Sequence, residues 1–74
     1  MSRITHLHNG AMIKADVVKS FQDALDIECN KWTDGSIIWD YVAADMHMDL
    51  SGVYASSYID ECFDVLAETE VLGV

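Results

Sequence analysis

Residues 3–15 read RITHLHNGAMIKA, and the fold class turns on how this stretch folds. Asn9-Gly10 is the preferred central pair of a type I′ turn, which needs positive φ at both positions. In a hairpin with that two-residue loop, His8 faces Ala11, His6 faces Ile13 and Ile4 faces Ala15. One face then carries Ile4, His6, His8, Ala11, Ile13 and Ala15. The competing reading is one long helix capped by Asn9. It places Lys14 in the middle of the apolar face and Met12 on the polar face, so the hairpin is preferred.

The expected fold is therefore α+β and mostly helical, in a single small domain spanning 1–74. An N-terminal β-hairpin (about 3–8 and 11–15) precedes three helices (about 17–32, 36–50 and 58–69). The alternative is an all-α three-helix domain. In the first helix Val18, Phe21, Leu25, Cys29 and Trp32 make one stripe, flanked by Val17 and Ala24, and Asp16 serves as N-cap. Asp34-Gly35 makes a turn after it, and Ser36 caps the next helix.

The second helix, IIWDYVAADMHMDL (37–50), has two apolar stripes. Ile37, Tyr41, Ala44 and Met48 form one; Ile38, Val42 and Met46, with Trp39 and Leu50, form the other. Asp45 and Asp49 occupy one gap between the stripes, Asp40 and His47 the other. A helix apolar on two sides must be covered on both, which predicts a central position. If the domain covers only one, the stripe containing Trp39 is the expected protein interface. The third helix buries Ile59, Cys62, Phe63 and Leu66, with Ser57 and Asp60 resembling a capping box. EVLGV (70–74) is expected to form a short terminal strand.

Charge is distributed one-sidedly. Residues 1–31 hold four acids and all four bases, whereas residues 32–74 hold nine acids and no Lys or Arg, so the net charge of −9 belongs to the second half. Such a field repels nucleic acid and anionic lipid and attracts basic partners. Asp60, Glu61, Asp64 and Glu68 project within about 100° of one another on the third helix. Like charges at i,i+4 cost about 0.2–0.5 kcal/mol per pair. A functional reading is a carboxylate stripe that occupies a basic nucleic-acid groove, since carboxylates accept from Arg much as phosphates do. The simpler reading is a solvated face that keeps an apolar chain soluble.

Other chemistries find little support. His6 and His8, with His47 nearby in neither spacing nor motif, match no metal-ligand pattern, so no metal or other cofactor is expected. There is no phosphate-binding glycine loop and no nucleophile elbow, and exposed carboxylates stay ionised and make poor general acids, so no enzyme is expected. Cys29 and Cys62 are expected to be reduced core thiols. The Asp-Ser-Leu modification motif of acyl carrier proteins is scrambled in Asp49-Leu50-Ser51-Gly52, which sets that family aside. No apolar run approaches the roughly 20 residues that span a bilayer, and MSRITHLHNG lacks a signal-peptide core, so a cytoplasmic protein is expected.

Asp40, Asp45, Asp49, Asp60, Glu61, Asp64, Glu68 and Glu70, with the missing bases, give the chain a character that resembles small acidic phage-encoded anti-CRISPR proteins acting on type I complexes. The resemblance implies an inhibitor in the cytoplasm of a bacterial host that binds a Cas subunit and blocks target-DNA or PAM engagement. These eight carboxylates are the expected partner-binding residues. They would present a nucleic-acid-mimicking surface to a basic nucleic-acid-binding protein, with no direct binding of nucleic acid or membrane, as a monomer or homodimer. The alternative is a small structural or assembly module that oligomerises or docks through an apolar helix face.

Overall fold

A computed structural model describes residues 6, 7 and 9–72. It contains α1 (Ala15–Leu25), a 3-10 turn (Glu28–Asn30), α2 (Trp39–Leu50) and α3 (Ser56–Leu72). No strand occurs among the described residues, only two isolated antiparallel bridges, His6–Met12 and Lys31–Ile37. The fold is all-helical, and the expected α+β class with an N-terminal hairpin is overturned.

The hairpin fails at its turn. Among the described residues no non-glycine has positive φ, so Asn9 cannot take its place in a type I′ turn; of the Asn9-Gly10 pair only Gly10 is left-handed, at φ 89°. The Gly10 amide donates to the Leu7 carbonyl (2.9 Å), and the Leu7 amide to the Ala11 carbonyl (2.7 Å). This is the pattern of a three-residue loop closed by a left-handed glycine, one residue out of register with the expected pairing. A slip of one residue exchanges the faces. Leu7 therefore takes the place of His6 on the face of Ile13: Leu7 and Ile13 are buried, while His6 is exposed. Ile4 and His8, also assigned to the expected hairpin face, lie outside the described residues.

The same turn recurs at Trp32–Ser36. The Gly35 amide donates to the Trp32 carbonyl, the Trp32 amide to the Ser36 carbonyl, and Gly35 has φ 89°. Asn9 and Asp34 play matching roles, each accepting at 2.9 Å from the amide two residues on. The Ser36 hydroxyl and amide together hold the Asp34 carboxyl below its ordinary range.

α1 stops at Leu25, not near Trp32. Asp26, Ile27, Cys29 and Asn30 are all weak helix formers. Asn30 is buried, and its Nδ2 donates to the Ala24 carbonyl (2.9 Å), which otherwise accepts from the Ile27 amide at a longer 3.3 Å. Cys29 and Trp32, expected on the core stripe, are exposed as a result. Val17, Ser20, Phe21 and Ala24 face inward instead.

α2 begins at Trp39 after an extended Ile38, leaving Ser36 in the preceding turn rather than at the cap. α3 begins earlier than expected: the Ile59 amide already bonds the Ala55 carbonyl, so Ser57 lies within the helix. It also runs through Glu70, Val71 and Leu72, which replaces the expected terminal strand with helix; residues 73–74 lie outside the described part.

The three helices bury Val17, Phe21 and Ala24 from α1, Val42, Met46 and Leu50 from α2, and Ile59, Cys62, Val65 and Leu66 from α3. Phe21, Trp39 and Phe63 form a ring cluster at centroid distances of 6.2–6.5 Å, with Phe21 stacked on Trp39 and Phe63 edge-on to both. Such pairs add about 0.5–1.5 kcal/mol beyond area burial. No helix among the described residues is long and apolar enough to cross a membrane.

Candidate protein-docking site

Only one of the two apolar stripes of α2 is covered. Val42 and Met46 are fully buried and Leu50 nearly so, with Trp39 packed against them. On the opposite stripe Ile37, ahead of the helix, packs against the core, but the helical part faces solvent: Tyr41 is 54% exposed and Met48 80%, with Ala44 exposed between them. The expectation is thus reversed. The Trp39 stripe is held by the aromatic cluster, and the Tyr41 stripe is the uncovered one.

Carboxylates border this stripe on both sides. Towards α1, Asp45 and Asp49 line a groove of about 450 Å³ with Ser20, Asp23, Ala24, Ile27 and Met48. Asp45 is half-buried and accepts a 2.7 Å hydrogen bond from Asn30 Nδ2, so its carboxylate is held in place. Asp23 is paired with Lys19 at 3.0 Å, whereas Asp49 has no cationic partner within 4.0 Å among the described residues. Towards α3, Asp40 shares its side of α2 with His47, seven residues on. His47 Nε2 lies 2.6 Å from Asp60 Oδ1.

The eight expected contact residues consequently separate into three groups. Asp60, Glu61, Asp64 and Glu68 are all exposed on the outer face of α3, with Asp40 across on α2. Asp45 and Asp49 belong to the α1–α2 groove. Glu70 is half-buried on a third side, beside Leu25, Lys31 and Ile37. The eight do not form one continuous surface.

A second apolar groove, of about 420 Å³, runs between the start of α2 and the end of α3, lined by Trp39, Phe63, Ala67, Glu68 and Val71. Ile27, 42% exposed at the edge of the α1–α2 groove, escaped the sequence reading. Its signal was present: on an extended first helix Ile27 falls opposite Val18, an apolar residue on the polar face.

No group of three or more His, Cys, Asp or Glu side chains among the described residues is arranged to hold a metal ion. Burial pushes the Cys62 thiol up, away from the thiolate that nucleophilic chemistry uses. Compared with protein-family models, curated proteins and solved structures, the chain matches none.

Proposed function

We propose that the chain is a non-enzymatic docking module that binds another protein through the outer face of α2. One observation carries this reading: α2 is apolar on two sides, and the fold covers only the side of Val42, Met46 and Leu50. A helix with a second, uncovered apolar stripe needs a cover to account for it. Tyr41, Ala44 and Met48 stand at i, i+3 and i+7, the spacing by which one helix receives another. Tyr41 supplies a large amphipathic anchor, Met48 an adaptable apolar one, and Ala44 leaves room for close approach.

A second reading rests on α3, where Asp60, Glu61, Asp64 and Glu68 line one exposed face. Presented to the basic channel of a larger protein, such as the DNA-binding site of a type I surveillance complex, that face would compete with nucleic acid.

Differential capture from host-cell extract separates the two. Met48→Asp should abolish recovery of the partner that the wild type retains, while Asp64→Lys with Glu68→Lys leaves recovery intact. The reverse pattern, loss only on reversing the α3 carboxylates together with salt-sensitive competition by DNA, would favour the nucleic-acid-mimicking reading.

A further inference from the structure

We infer that the occupant of the α2 face is a cationic amphipathic helix of another protein, with Lys or Arg flanking a row of apolar side chains. This rests on the docking reading above and names the chemistry of its partner.

Charge complementarity selects this occupant. The stripe of Tyr41, Ala44 and Met48 has Asp45 and Asp49 on one flank and Asp40 on the other, where His47 and Asp60 pair beyond it. No Lys or Arg occurs anywhere in residues 32–74 to offset them. A second copy of the chain is the obvious rival. Because both flanks are acidic, pairing two α2 faces in either direction sets carboxylates against carboxylates, which disfavours the pair. A helix with basic flanks turns the same geometry into attraction on both sides.

The α1–α2 groove suits a long basic side chain in particular. Ala24, Ile27 and Met48 offer an apolar bed for its methylene stem, and Asp45 and Asp49 stand where its charged end would emerge. Asn30 holds Asp45 in place before any partner arrives, which lowers the ordering cost of the contact.

The probes are short helical peptides sharing one leucine- and alanine-rich face. One carries Lys on its flanks, one carries Glu, and a third has the Lys peptide's composition in scrambled order. Binding to the intact chain is followed by the Met48 methyl and α2 amide resonances. The Lys-flanked peptide should bind at the α2 face and weaken about tenfold or more with Met48→Asp. It should also weaken with Asp40→Lys combined with Asp49→Lys, and that variant should gain affinity for the Glu-flanked peptide.

Equal binding of Lys- and Glu-flanked peptides, both lost with Met48→Asp, overturns the cationic partner while leaving the docking face standing. Equal binding of the scrambled peptide overturns the amphipathic helix in favour of charge alone. Concentration-dependent shifts of the same resonances without peptide make a second copy the occupant. Binding of no peptide, with no self-association, overturns both the partner and the docking reading.

Discussion

His47 Nε2 lies 2.6 Å from Asp60 Oδ1, tying the last turn of α2 to the early part of α3. The Asp60 side chain is 66% exposed, so water and salt screen the contact. A double-mutant cycle with His47→Ala and Asp60→Ala should return a coupling of about 0.5 kcal/mol, within the range of exposed pairs. A coupling of zero at low salt would show that the two helices are not joined there. The same contact makes Asp60 a poor choice for testing the α3 face, because its reversal disturbs the fold as well as the surface charge; Asp64 and Glu68 are cleaner.

Asn30 closes α1 from a distance, bonding the Ala24 carbonyl and the Asp45 carboxylate through one amide nitrogen. Replacing it by Ala leaves a buried carbonyl and a half-buried carboxylate without that donor. The expected loss of stability is about 1–3 kcal/mol, read as a lower urea midpoint with an unchanged slope. Asn30→Asp should cost more, since it sets a second carboxylate against Asp45. A variant as stable as the wild type would mean that α1 ends for some other reason.

Asn30 also shows where sequence reading reached its limit. The amphipathic periods of α2 and α3 were legible because each helix keeps its pattern through most of its length, and the inward set Ile59, Cys62 and Leu66 of α3 followed from it. The end of α1 was not legible. Asn30 falls on the polar side of an idealised longer helix, and only its tertiary partners on α1 and α2 make it a buried cap. The N-terminal turn misled for a related reason. Asn-Gly serves either a two-residue loop or a longer loop with a glycine bulge, and the choice shifts every facing residue by one. Asp34-Gly35 adopts the same turn, so the local chemistry was consistent while its register was not encoded locally. Of the candidate site, the two stripes of α2 were visible, but which one the core would take depended on Trp39 joining Phe21 and Phe63.

The cysteines should differ sharply in reactivity. Cys29 became exposed when α1 ended early, while Cys62 is fully buried in α3 and its thiol is pushed up, chiefly by burial. A maleimide at neutral pH should label Cys29 promptly in the native protein and reach Cys62 only under denaturing conditions. Intact-mass measurement would read a single adduct before unfolding and a second after it. Prompt native labelling of Cys62 would show that α3 opens readily or packs differently.

Tyr54 provides a pH-dependent tie between the α2–α3 connection and α1. Its hydroxyl donates to Asp16 Oδ1 at 2.8 Å, and this bond, more than burial or the neighbouring charge, pushes its ionisation up to about 12 from 10.0. Because the folded value is raised, the stabilisation is fully present below about pH 10 and is lost as pH rises through about 12. Beyond that, a tyrosinate faces a carboxylate and the contact becomes repulsive. A tyrosinate absorbance titration should therefore show a late phase that disappears in Tyr54→Phe and moves to lower pH in Asp16→Ala. Tyr58 is also raised, first by burial; the Lys14 amide bonds its oxygen and the Asp16 charge is the smallest of its causes, so its phase should move less than that of Tyr54 in Asp16→Ala. If Asp16→Ala leaves the latest phase in place, the delay comes from burial and not from the link between Asp16 and Tyr54.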